Sequence, residues 1–527
     1  MHRPQTLARE DVLFLGLAFA CIAAIGCTKV VAALHWRYSS DLFAFLQYGT
    51  ELAAGHTGLD YTYGNPLGDH AYLWLPLLGP LVWLLGKHAL WVLLLAPPLM
   101  FGASNIVLYR WLRQRLSPSA AVMLGLPYLF HGHVAEGLFE DRWGFHPDNL
   151  AGSLLVILAV TLLPPSNARE AGAPQAMPGA AWLALCAFLL LKEEMVLLAA
   201  LFFLVRALLQ HNRFDWVMGT SCLALFVGEL LAIHALQTPF NRSNAHLLSE
   251  TWITLTTHGE QVIAEIPSAF TLFVLSSVLL MTGIRRLSAQ PNATALALFT
   301  TGLAKFAFGL AVMDPDLSSW HCYPGIAIVT AAIVIQLGLN ADCAWQPRVC
   351  GFMAATSVLC FLAVEAPFLA MQLGQSLRLR EQVQLHRAEM QEMKALIDPA
   401  RVTALTGSAL FDWQDGSRFS TYPRGAWYSP LGIADFVLVE PGNLTTVRAE
   451  FPAPSVSETQ FALATSALLE PEFALLARGP RYALFRRVAL VPESAHQRRE
   501  WIARFGAASI GQPGPEMPYP IAPSRVR

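Results

Sequence analysis

The sequence predicts an all-α polytopic membrane protein of about eleven transmembrane helices, with a small C-terminal α/β soluble domain. Three observations predict it. Of 527 residues, 54% are hydrophobic and 14% are charged, against about 25% charged in soluble domains. Apolar runs of about 20 residues, enough to cross roughly 30 Å of hydrocarbon, recur up to Leu373. From Gly374 onward the chain becomes polar and charge-rich, as soluble domains are. The 35 basic and 37 acidic residues form no basic domain, so no nucleic-acid partner is expected. The eight cysteines show no CxxC spacing, and neither a disulfide nor a zinc site is expected.

The elements follow from apolar length and from the side that collects Lys and Arg, which marks the cytoplasm. Arg3 and Arg9 precede the apolar run Val12 to Leu34, which is too long for a cleaved signal peptide and stays attached as the first span. The N-terminus is assigned to the cytoplasm, so Asp41 emerges outside. The first outer loop, 35–88, contains the apolar stretch Ala71 to Gly86, broken by Pro76 and Pro80. It is read as a helix lying at the interface, because that choice keeps Arg110, Arg113 and Arg115 inside.

Spans then run over about Ala89–Tyr109, Ala120–Ala135 and Asn149–Leu163, and a hairpin over Gly179–Leu209 turns at Lys192-Glu193-Glu194. Further spans cover about Trp216–Leu236, a return segment ending at Arg285-Arg286, Ala293–Met313, Cys322–Leu339 and Val349–Leu373. Residues 1–374 thus form the transmembrane domain and 375–511 an extracytoplasmic α/β domain. Within the latter a helix is expected over Ser376–Ile397, strands over Arg401–Leu410, Phe436–Glu440 and Tyr482–Leu490, and a helix over Phe461–Leu469. The proline-rich tail 512–527 reads as disordered.

Charged groups at an apolar boundary need a partner, water or a job. Four clusters meet that description: Asp41; Glu140, Asp141, His146 and Asp148; Lys192, Glu193 and Glu194; and Asp314, Asp316 and His321. All fall on the predicted outer face. Bland readings stand beside the functional ones. Asp60, Asp69, Asp314 and Asp316 are accounted for as solvated loop acids, Asp148 as a helix N-cap, and the Lys-Glu-Glu tip as a self-neutralising ion pair. His321 is either an interfacial histidine satisfied by Asp314 or Asp316, or a ligand to phosphate. No Gly-rich phosphate loop, nucleophilic triad or HExxH helix is present.

At these residues the sequence resembles a bacterial family of multi-span proteins, the domain of unknown function 2079. The motifs are Ser40-Asp41-Leu42 with Gln47, His70 before Leu73 to Gly86, Phe145-His146-Pro147-Asp148, Lys192-Glu193-Glu194, and Trp320-His321-Cys322-Tyr323. In the C-terminal part Ile397-Asp398-Pro399-Ala400-Arg401-Val402-Thr403-Ala404 and Ala434 to Glu440 continue the match. That family in turn looks like the GT-C glycosyltransferases, which carry an acid after the first span, a second acid in the next outer loop, and a soluble domain after the last span.

The resemblance implies a glycosyltransferase of the inner membrane that moves a sugar from a polyprenyl-phosphate-linked donor, held in membrane lipid, to an acceptor outside the cytoplasm. Asp41 would be the base, and Asp148, or else Asp141, the second-loop acid. His70, His146, Lys192, Glu193 and His321 would contact substrate, Lys192 and His321 at the donor phosphate. A divalent metal is compatible with the family, but Leu46 stands near the place of its second early acid, which argues against a two-acid metal site at Asp41. The competing class is a transporter or flippase of a lipid-linked intermediate. It predicts two related halves and ionisable groups near mid-membrane, whereas no two-half symmetry is visible and the groups gather at one face.

Overall fold

A computed structural model of the chain describes residues 8–38, 41–55, 67, 70–140, 144–163, 177–236, 292–312, 321–339, 346–399, 401, 403–405, 419–421, 435–441, 457–459 and 473–488. Asp60, Asp69, Asp141, Asp314, Asp316, the return segment before Arg285, the stretch 461–469 and the tail 512–527 lie outside the described residues, as does the side chain of Asp41.

The described chain is mostly helical. It begins with α1 (Arg9–Leu34), whose 26 residues reach about 39 Å at 1.5 Å per residue. After the polar turn come α2 (Asp41–Ala53) and, beyond a 3₁₀ turn, α3 (Leu78–Leu85). α3 is only eight residues, about 12 Å, and by itself too short to cross a bilayer. It ends at Gly86, whose φ of 53° turns the chain before α4 (Ala89–Arg113). α2 and α3 pack side by side through glycines: a Cβ at Gly79 would lie 2.9 Å from Leu52, and one at Gly49 would lie 2.8 Å from Val82.

The bundle continues with α5 (Pro118–Leu129), the short α6 (Val134–Phe139), α7 (Asp148–Thr161), α8 (Gly179–Leu189), α9 (Glu193–Gln210), α10 (Arg213–Leu236), α11 (Ala293–Val312) and α12 (Tyr323–Leu339). A last long rod joins α13 (Gln346–Cys360), a π-turn (Phe361–Glu365) and α14 (Ala366–Arg378). Among the described residues four stretches are long and apolar enough to cross a membrane: Arg9–Leu34, Leu75–Arg113, Arg213–Leu236 and Cys350–Arg378. Other apolar helices, including Asp148–Thr161 and Tyr323–Leu339, are shorter. α7 sits centrally, packed on α4, α8, α11 and α12. Such burial on all sides explains a helix without a polar face.

Helix α15 (Arg380–Lys394) leads to a five-stranded mixed sheet in the order β2-β1-β3-β5-β4. The strands are β1 (Thr403–Leu405), β2 (Phe419–Thr421), β3 (Phe436–Val439), β4 (Phe473–Arg478) and β5 (Ala483–Arg487). β1 is parallel to β2 and β3, and β5 is antiparallel to β3 and β4. Within each of the stretches expected as strands from Arg401, Phe436 and Tyr482, the described residues include a strand. β2 and β4 are additions that their mixed sequences did not announce.

The sheet joins the helical part through one apolar cluster. Trp36 and Tyr38 from the end of α1, Leu42 and Phe45 of α2, Val383 and Met390 of α15, and Phe436 and Leu484 of the sheet all belong to it. Arg37 adds polar links by donating to the Gln372 carbonyl and to Gln375 Oε1 at the end of α14. At the opposite end of the bundle, Tyr109 Oη donates to Asp11 at 2.6 Å and Arg113 pairs with the same carboxylate. Arg206 at the far end of α9 faces Asp215 at 3.5 Å.

Candidate functional site

The site is built at the end of the bundle where α1 finishes and α7, α9 and α12 begin. Its base is the loop after α6, held by two buried charges from other helices. Glu365, at the π-turn of the last rod, accepts from the backbone N–H groups of His133, Ala135 and Glu136 at 2.9, 2.9 and 3.2 Å. Lys29 of α1 donates to the Leu138 carbonyl and to Glu140 Oε2, both at 2.8 Å. An anion thus meets the N-terminus of α6 and a cation its C-terminus, the favourable sense for the helix dipole. Glu140 also accepts from His146 N at 2.6 Å and Asn149 Nδ2 at 2.7 Å, so its carboxylate folds the loop onto the start of α7. Gly144, at φ 74°, lets the same loop pass Tyr38, where a Cβ would come within 3.0 Å of the ring.

Asp148 is brought by this loop to a fully buried position as the first residue of α7. The N-cap reading does not hold, because Pro147 occupies the cap and, among the described residues, neither Asp148 oxygen accepts a hydrogen bond. Its charge is met by ammonium groups instead. Lys192 Nζ and Lys305 Nζ each lie 3.8 Å from Asp148 Oδ2. Lys192 is also 3.4 Å from Glu194, and Lys305 makes a hydrogen-bonded ion pair with Glu194. The tip does neutralise itself in part, but α11 supplies the second cation.

Two histidines flank the cations. His146 Nδ1 is 3.4 Å from Asp148, and burial, with Lys192 and Lys305 nearby, holds it well below the usual histidine range. His321 is pushed down to about 3 by burial and by the same lysines, so it is neutral at physiological pH. Lys192 is held well above the ordinary lysine range: burial opposes its charge, and the carboxylates of Asp148 and Glu194 outweigh that penalty.

Beside this centre His70 Nδ1 bonds Glu193 Oε1 at 2.8 Å, while Ala71 N donates to Glu193 Oε2 at 2.9 Å. An aromatic wall connects the parts: Phe45, one turn after Asp41, touches Tyr72, Trp74 and Phe145, with ring centroids 5.8, 5.0 and 5.7 Å away.

The structure therefore joins His70, His146, Asp148, Lys192, Glu193 and His321 in one neighbourhood. Asp41 opens α2 beside them, its side chain outside the described residues, and so is Asp141. Lys305, Lys29 and Glu365 were missed by sequence reasoning. The signal was available, since each is an ionisable residue within an apolar helical run. Among the described residues no group of three or more His, Cys, Asp or Glu side chains has metal-holding geometry. A divalent cation does not fit at Asp148, where it would stand against two ammonium groups.

A family model described as "Predicted membrane protein (DUF2079)" matches residues 39–364. The chain belongs to this family. Every member of the Asp148 centre lies within the matched range, whereas Lys29 lies before it and Glu365 one residue beyond. No curated protein matches the chain. The solved structure "ArnT from Cupriavidus metallidurans in the apo state" is similar to it at a TM-score of 0.48 and 14% identity, over 92% of this chain and 99% of that chain.

Proposed function

We propose that this chain is a membrane-embedded glycosyltransferase that moves a sugar from a polyprenyl-phosphate donor to an acceptor outside the cytoplasm. The observation that carries the reading is the pair of buried ammonium groups, Lys192 and Lys305, facing one carboxylate oxygen of Asp148 at 3.8 Å each. Buried cations of this kind are a site for an anion, and lysine binds phosphate as a point charge. In the free protein Asp148 and Glu194 hold the lysines in place; donor phosphate oxygens take over part of that role. The neutral His146 and His321 add hydrogen-bonding capacity without further charge. The apolar pair α2 and α3, with Trp83 and Leu84 exposed, offers a surface for the polyprenyl chain. The family's likeness in motif order to GT-C enzymes supports the same reading, with Asp41 taking the acceptor proton.

The test uses purified full-length protein in detergent with polyprenyl-phosphate sugars. Lys192→Met and Lys305→Met raise the donor KM at least tenfold. Asp41→Asn, which keeps shape and removes the proton acceptor, lowers turnover by about a hundred- to ten-thousand-fold. Donor KM unchanged in both lysine variants would overturn the phosphate site, and full turnover in Asp41→Asn would end its role as base.

A further inference from the structure

Glu193 makes more contact with the 70–71 segment than tethering requires. The segment is already tied to the hairpin tip by Trp74 N donating to the Leu190 carbonyl at 3.1 Å. Glu193 adds a bidentate grip, with one oxygen on Ala71 N at 2.9 Å and the other on His70 Nδ1 at 2.8 Å. A carboxylate on Nδ1 fixes the ring and its tautomer and leaves Nε2 to act on something else. The edge of Tyr72, 5.2 Å away, confines the ring further. Unlike the buried His146, His70 keeps 20% of its side chain exposed. Glu193 directly follows Lys192 in the chain, and His70 lies close enough to act on the charge of His146, so the dyad borders the Asp148 centre.

We propose that the His70–Glu193 dyad is the general acid of the transfer, delivering a proton from His70 Nε2 to the departing phosphate oxygen. This rests on the glycosyltransferase reading and adds the group on the donor side. The acceptor oxygen, giving up its proton to Asp41, forms the bond to the anomeric carbon. The bond from that carbon to the donor phosphate oxygen breaks, and its electron pair takes the His70 proton. Asp41 then releases its proton to water and His70 takes one back, which closes the cycle. The charged and titratable groups facing the dyad are Lys192 and Tyr72, His146 across the centre, and Glu229 of α10 near Glu193.

The experiment measures transfer from a polyprenyl-phosphate sugar against pH in wild type, His70→Asn and Glu193→Gln, alongside binding of polyprenyl phosphate. A general acid makes the wild-type rate fall on the alkaline side. His70→Asn lowers kcat about a hundredfold or more with donor KM within threefold, and the alkaline fall disappears. Glu193→Gln, which loosens the hold on His70 Nδ1, lowers kcat about tenfold or more with donor KM within threefold. A tether alone predicts lower thermal stability in both variants with kcat per folded molecule and the pH profile unchanged, and that result overturns the dyad. Failure of the underlying reading looks different: wild type shows no transfer and Lys305→Met binds polyprenyl phosphate as well as wild type, which removes both claims.

Discussion

Lys305 shows how much one side chain can decide. It lies among Leu303, Phe306 and Phe308 on an apolar helix, yet it is buried against Glu194 and Asp148. Breaking a buried pair leaves its partner uncompensated, at a cost of about 3–5 kcal/mol. Lys192 still stands 3.4 Å from Glu194, so Lys305→Met should fall at the low end, about 3 kcal/mol, in detergent unfolding. The double variant Lys305→Met with Glu194→Gln should recover most of that loss, and equal losses in single and double variants would disprove the pairing. His321 makes a pH prediction. Its folded-state value of about 3 lies below the unfolded value of about 6.5, so the unfolded chain binds the extra proton. Stability should therefore rise with pH between those values and stop rising above them. Thermal unfolding at pH 5 and 7.5 should show a smaller difference in His321→Asn than in wild type, and an unchanged difference would rule His321 out as the source.

At the scale of elements, the six-residue α6 is too short to persist alone and depends on what holds its ends. Glu365 satisfies three N–H groups there, and a buried donor left unsatisfied costs about 1–3 kcal/mol. Glu365→Ala should then destabilise by about 3 kcal/mol or more, while Glu365→Gln, with one acceptor oxygen retained, loses less. Thermal unfolding of both variants checks this, and two equal, small losses would mean that water or neighbouring groups cap α6 instead. The π-turn that aims Glu365 could not be read from Phe361-Leu-Ala-Val-Glu365, which suits a regular apolar helix apart from the acid. The hairpin α8–α9 and α1 were legible because apolar length alone defines them. β2 and β4 were not, because a short strand is specified by its neighbours in the sheet more than by its own residues.

For the whole molecule, Arg113 and Arg206 lie at the end opposite Lys192 and Asp148. We expect that end to be cytoplasmic and the sheet, which packs against the end of α1, to be outside. A reporter active only in the cytoplasm, fused after residue 527, should stay silent. Strong signal would reverse the orientation and move the acceptor to the cytoplasmic side. The amino-acid sequence by itself determined that this chain lives in a membrane, where its longest apolar helices run, and which acids and histidines stand at their ends, because hydrophobic length and charge asymmetry act locally along the chain. Only the tertiary structure decided who meets whom. Lys305 and Glu194 are 111 residues apart, as are Lys29 and Glu140, and Glu365 reaches His133 across 232. Apolar periodicity sets a residue's depth, but the direction it faces around an almost uniformly apolar helix is set by packing, and that direction is what turned scattered charges into one site.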